Sequence, residues 1–144
     1  MKFMVIVPAS KESETGSFSD AKAFAEMDRF NEELVNAGVM LAGEGLHPTS
    51  KGSRLTFSGG GKTAVVDGPF TESKELIAGF WILRAKSKDE VIAWMKRAPF
   101  GAGVTLEIRQ LHESDDFARV DPTGELRAKE VVLRERMSEN SKRK

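Results

Sequence analysis

The chain has 144 residues, the length of one ordinary domain, and 40% of them are apolar, enough to bury a core. Its 22 Lys and Arg balance 22 Asp and Glu, which argues against charge-driven binding to nucleic acid or an anionic membrane, and the absence of cysteine excludes disulfides, thiolate nucleophiles and Cys-based metal sites. No stretch approaches the roughly 18 apolar residues of a membrane span, and Met1–Pro8 is too short an apolar run for a signal peptide, so the expectation is a cytoplasmic protein.

Phe3 to Val7 is a continuous β-prone run, and the polar stretch from Ser10 to Ser17 reads as a loop. Ser19 is the expected N-cap of a first helix, with Asp20 in its first turn. Ala23, Met27, Phe30, Leu34 and Ala37 follow at helical spacing, and Gly38 is placed to end it. Val39–Leu46, Arg54–Phe57 and Ala64–Val66 are strand candidates, and Ile77–Arg84 is a stronger one with Phe80 and Trp81 on opposite faces. Ser87 caps a second helix with Val91, Ile92 and Met95 turned inward, closed by Ala98-Pro99. Val104–Leu111 is the last strand. Its apolar residues Val104, Leu106 and Ile108 alternate with Thr105, Glu107 and Arg109.

Residues 1–118 carry 14 basic and 17 acidic side chains, whereas residues 119–144 carry 8 and 5, so the tail is a separate segment. Asp121-Pro122-Thr123-Gly124 reads as a turn feeding a helix from Glu125 to Met137, with Leu126, Leu133 and Met137 on one face beside Glu130. Acids interleaved with its cations argue against a nucleic-acid-binding tail. Without the middle hairpin, the order strand, helix, strand, strand, helix, strand is the split βαβ pattern of an α+β ferredoxin-like domain, here βαββαβ with an extra hairpin and a C-terminal helix. Helices on one face leave the other, polar, sheet face as the expected place for a pocket and for a homodimer contact.

Ser58-Gly59-Gly60-Gly61-Lys62-Thr63 mimics the end of a phosphate loop, but Thr56 stands where the pattern needs glycine and a strand follows where it needs a helix, so this is a hairpin turn. His47 and His112 have no short ligand spacing, and neither a metal nor a cofactor is called for. The richest stretch runs from Val65 to Phe80. Asp67 closes a strand with its carboxylate free to accept amides, Gly68 permits a positive φ, and Pro69 fixes the next φ, which makes a sharp, stiff turn.

Asp67-Gly68-Pro69-Phe70-Thr71-Glu72-Ser73-Lys74-Glu75 resembles the signature of the DGPF (DGPFAETKE) family of the YCII-related superfamily, with Thr71 and Ser73 in place of Ala and Thr. The similarity extends to Asn31–Leu34, Ala37–Val39, Ala42–Pro48, Gly79–Ile82, Arg97–Pro99 and Leu106–Arg109, covering residues 2 to about 112. The resemblance implies a ferredoxin-like domain, residues 1–118 here, that dimerises into an α/β barrel, with residues 119–144 as an added helical tail. The superfamily is associated with a His-Asp pair in a pocket, and one branch is similar to chloroaromatic dehydrochlorinases and muconolactone isomerase-like proteins. The family's frequent proximity to extracytoplasmic-function sigma factors implies an association with such a system. The superfamily's pocket histidine is expected near the first helix, which carries none here, and His47 lies at the end of the second strand, where DGPF relatives often have Gln.

Leu41, Gly43, Gly45 and His47 share one face of the second strand, and the two glycines open space for a ligand. His47 with Asp67 or Glu44 makes a general acid/base pair, because a carboxylate orients an imidazole and raises its proton affinity. Arg109, with Glu107 beside it, suits a carboxylate or enolate oxygen, and Glu72 and Lys74 flank the turn as further substrate contacts. The same residues also read as a turn, a strand ion pair, a surface histidine and a solvated charge run. Two functions stay open. One is small-molecule binding with cofactor-independent acid/base chemistry of an isomerase or lyase kind on a small anionic or enolic ligand; the other is a non-catalytic regulatory or interaction module of a sigma-factor system.

Overall fold

The apolar run at the start of the chain becomes β1 (Lys2–Pro8), which a computed structural model describing residues 1–17, 20–72 and 74–143 places in the interior of a sheet. The polar segment after it is a short helix, α1 (Lys11–Thr15), rather than the expected loop. Ser10 and Ser13 cap each other, with side-chain oxygens accepting backbone amides at 3.1 and 2.8 Å, and Gly16 ends the turn at φ 70°. Capping at both ends holds a turn that no apolar periodicity announces. In α2 (Ala21–Asn36) the N-cap is Asp20, whose carboxylate accepts the amides of Lys22 and Ala23 at 2.9 and 3.2 Å; the expected cap, Ser19, lies outside the described residues.

Next come β2 (Met40–Gly45) and a hairpin of β3 (Ser53–Phe57) and β4 (Thr63–Asp67) turned by Gly59–Gly61. They are followed by β5 (Ile77–Arg84), α3 (Lys88–Met95) capped by Ser87, and β6 (Glu107–Gln110). The last strand is shorter than its alternation suggests, because β1 pairs with it only from Phe3 to Ile6, and Val104 stays exposed outside it. Four strands form one antiparallel sheet in the order β2-β5-β1-β6, and β3-β4 is a separate two-stranded sheet.

Alternation along β1 and β5 turns Phe3, Val5, Trp81 and Leu83 to one face, where Phe30 and Leu34 of α2 and Val91 and Met95 of α3 cover them. Each such side chain contributes about 1.5–3 kcal/mol by leaving water. Ile6, Phe80 and Ile82 point the other way and are half-buried. Among the described residues no helix is long and apolar enough to cross a membrane.

The chain divides into two compact units, Met1–Leu111 and His112–Lys144, the second beginning ahead of the charge shift at residue 119. It contains a 3-10 turn (Ser114–Phe117) and α4 (Glu125–Lys142), which extends past the expected end at Met137. Gly124 at the α4 N-cap offers no side chain, so Asp121, 4% exposed, reaches forward instead and accepts the amides of Leu126 and Arg127 at 3.3 and 3.0 Å. The Arg127 amide foremost, with the Leu126 amide and the Arg127 guanidinium, holds the Asp121 carboxyl below its ordinary 3.8. A depressed folded pKa means that this stabilisation is complete above the unfolded value and is lost as pH falls through the folded one. Helical circular dichroism should therefore hold from neutral pH down to about 4 and decline below it, and Asp121→Asn should remove this acid step. An unchanged acid limb in the variant would show that Asp121 does not hold the helix start.

Candidate functional site

The site grows from three missing side chains. A bulge between Met40 and Ala42 resets β2 so that Gly43 pairs with Trp81 and Gly45 with Gly79, all on the face that α2 covers. A Cβ at Gly43 would run into the Met40 side chain and lie 2.8 Å from Trp81 Cδ1, so the indole rests on the bare backbone there. At Gly45 a Cβ would meet nothing within 4 Å. Trp81 is held from three sides: its Nε1 donates to Asn31 Oδ1 at 2.9 Å, and Phe30 and Phe100 meet it edge to face with centroids 6.3 and 6.2 Å away. Such pairs add about 0.5–1.5 kcal/mol beyond area burial and leave the ring little freedom.

Between this glycine strip and α2 lies an open cavity of about 480 Å³. Phe24, Met27, Trp81 and Phe100 supply its apolar wall and Glu12, Asp20 and Asp28 its charges, whereas Glu44 and Phe80, which border it in sequence, pair with each other on the opposite face of the sheet. That volume falls within the range of small-molecule sites.

Of the residues singled out in the sequence, Glu44 borders this cavity; His47, Asp67, Glu72, Lys74, Glu107 and Arg109 are not among its described lining residues. By register Glu107 and Arg109 sit opposite Ile6 and Met4, on the sheet face away from the helices, where Arg109 Nε lies 3.8 Å from Glu107 Oε1 with both side chains well exposed. His47 is exposed just beyond β2, and among the described residues no hydrogen bond or ion pair joins it to Asp67 or Glu44. Asp67 Oδ1 accepts the Ser53 hydroxyl at 2.6 Å across the hairpin. Glu72 pairs with Arg54 at 3.3 Å, and its own backbone amide and that guanidinium hold its carboxyl below the usual carboxylate range. Arg54 also lies over the Phe70 ring, 4.0 Å from its centroid. Lys74 is exposed.

The Asp67–Glu75 turn is thus knit into the fold. Thr49 accepts the Phe70 amide at 3.1 Å and gives its own hydroxyl to Glu14 of α1 at 2.6 Å, and the Gly68 amide donates to Gly52 O at 2.9 Å. Gly68 does not adopt the expected positive φ. What it supplies is space, since a Cβ there would overlap the Thr49 carbonyl. Residues that sequence reasoning did not connect with a pocket are Glu12, Asp20 and Asp28, together with Gly79. The helical spacing of Phe24, Asp28 and Asn31, each three or four residues apart, places them on one side of α2 and is the signal that marks them as a group. Among the described residues no three His, Asp or Glu side chains gather as a metal site would require.

A YCII-related domain matches residues 1–115 of the chain. The chain belongs to the YCII-related family. This YCII-related protein is also 33% identical over 84 residues to an uncharacterised protein of Rhizobium meliloti (strain 1021), the match covering 56% of this chain and 67% of that one. Among solved structures it is similar to the 5-chloro-2-hydroxyhydroquinone dehydrochlorinase of Burkholderia phenoliruptrix AC1100, in complex with 2,5-dihydroxybenzoquinone. That likeness has a TM-score of 0.40 and 19% identity, covering 80% of this chain and 98% of that one.

Proposed function

We propose that this YCII-related protein binds a small organic molecule in the cavity between α2 and the Gly43–Gly45 strip, and that it does so as a homodimer of ferredoxin-like domains of the DGPF branch. The observation that carries the reading is the cavity itself: glycines form its floor, a fixed tryptophan its wall, and carboxylates its polar groups. Evenly packed interiors hold few voids of that size, and concave apolar sites with a few polar groups are where ligands bind. Any proton transfer in this cavity falls to its acidic lining residues, of which Asp28 lies on α2. The dimer is supported by the β3-β4 hairpin, where Leu55, Phe57, Val65 and Val66 are each more than half exposed. A two-stranded hairpin is marginal in water alone, and clustered exposed apolar side chains mark an interaction surface.

Gly45→Leu is the test of the site. Its side chain enters open space without a left-handed φ to oppose it, so stability should change by less than about 1 kcal/mol and light scattering should still give twice the chain mass. Binding of aromatic small molecules in a calorimetric screen should be lost. A variant that binds as the wild type does would remove the cavity as the site. Retained dimer mass with no small-molecule binding by the wild type would favour the interaction-module reading.

A further inference from the structure

Helix α1 is held in place by little. None of its residues is buried, and its capping bonds run between its own residues and its flanking serine and glycine, so neither packing nor the caps tie it to the sheet. At its base the Ala9 amide donates to Leu76 O at 2.9 Å, and at its far end Pro48 stands beside Gly16. Among the described residues, the only hydrogen bonds from the helix itself to another part of the fold are those of one side chain, Glu14. A segment with few buried contacts opens locally at a fraction of the global unfolding free energy.

Glu14 makes its contact a strong one. Its carboxylate accepts the Thr49 hydroxyl at 2.6 Å, the short distance of a charge-assisted bond, and accepts the Thr49 amide at 3.3 Å. The Thr49 hydroxyl in turn accepts the Phe70 amide at 3.1 Å, so a single oxygen joins α1, the connection after β2 and the Asp67–Glu75 turn. All three residues are half-buried, and a hydroxyl that accepts one bond is a better donor in the next.

The place of this junction gives it a role. Glu12 and Ser17, on either side of Glu14, line the cavity, and Thr49 stands just past the Gly45 end of the glycine strip. Of the elements that line the cavity, β1, β2, β5 and α2 are fixed by the sheet and the core, whereas α1 is fixed by Glu14. Resting on the reading that the cavity is a ligand site, we propose that α1 is a latch on its entrance. Glu14 holds the helix shut against Thr49, and release of that one side chain lets the segment from Ser10 to Ser17 swing out from Ala9. The Asp67–Glu75 turn sets the strength of the latch through the Phe70 amide, and so acts on the cavity although it contributes no described lining residue. Glu14 and Thr49 are positioning residues, governing access without touching the ligand.

Acrylamide quenching reads the latch with no ligand present. The chain has two tryptophans, Trp81 in the cavity wall and Trp94 outside it, so the Trp94→Phe protein reports on Trp81 alone. In that background Glu14→Ala and Thr49→Val should each raise the Trp81 quenching constant at least about twofold and speed exchange of the Gly16 and Ser17 amides about tenfold. Thr49→Ser, which keeps the hydroxyl, should match the parent in both, and Thr49→Val should also speed exchange of the Phe70 amide. Faster exchange with unchanged quenching would show that α1 comes loose without opening the cavity, and no change in either would show that Glu14 does not hold it; both results overturn the latch. Quenching raised equally by Thr49→Ser overturns it too, since the hydroxyl would then be irrelevant. Glu14→Ala removes no buried residue, so it carries the test if Thr49→Val does not fold. These measurements are made on the free protein, so the latch stands or falls apart from the Gly45→Leu test, which decides whether the cavity takes a ligand.

Discussion

Gly68→Ala should lower stability by about 2–4 kcal/mol, read as a fall in the midpoint of urea unfolding at unchanged slope. Two effects oppose each other at such a site. Alanine reduces the entropy of the unfolded chain, which favours folding by about 0.4–1 kcal/mol where the native geometry accepts it. Here it does not, because the new methyl would overlap the Thr49 carbonyl oxygen and crowd its carbon at 2.7 Å. Backbone cannot rotate away as a side chain would, so the turn must lift from the Thr49–Gly52 segment. That movement weakens the Gly68–Gly52 bond and the Phe70–Thr49 bond together. Gly101→Ala is the control, since its methyl meets nothing and its φ is ordinary. Equal midpoints for the two variants would mean that the approach of the two segments is not a constraint.

A second large effect is expected at Gly79, near the start of β5. Its Cβ would lie 2.6 Å from the Glu44 carbonyl oxygen and 3.4 Å from Gly45 Cα, so Gly79→Ala pushes β2 away from β5 at the point where the two glycines pair. Overpacking of this kind costs about 1–3 kcal/mol. Gly45→Ala across the pair meets open space and should be close to neutral. A thermal melt separates them: the Gly79 variant should unfold several degrees lower and lose ligand binding through displacement of β2, whereas Gly45→Ala should melt with the wild type. Melting at the same temperature in all three proteins would show that β2 adjusts freely.

Much of this architecture was legible in the residues. The β-prone run Ile77–Arg84 coincides with β5, and the periodicity of Met27, Phe30 and Leu34 marks α2, because burial on one face imposes a period that the chain must carry. Helix α1 is not legible in the sequence, since all that marks it is a pair of serines and a glycine, and the capping bonds between the serines exist only once the turn has formed. The candidate site was legible in part. The openness around Gly43 and Gly45 follows from strand alternation, but which face they share depends on the bulge after Met40, a shift of one residue that reverses inside and outside. The alternation of Glu107 and Arg109 with apolar residues points to a pocket on the polar sheet face. The described cavity lies on the helix side, built from α1, α2, β2 and β5, and no spacing within any one of these encodes their meeting.

The bulged, glycine-bearing β2 has a consequence for the molecule's behaviour in a crowded solution. As a terminal strand of the four-stranded sheet, β2 presents a row of backbone groups that another extended chain could extend by hydrogen bonding, the first step of amyloid-like assembly. Strand addition needs a flat, regular template with side chains to interlock. This one is irregular at Leu41, bare at Gly43 and Gly45, and charged at Glu44. The features that hollow out the cavity therefore also make a poor seed for aggregation, and filling that hollow with β-branched side chains would trade a cavity for a sticky edge.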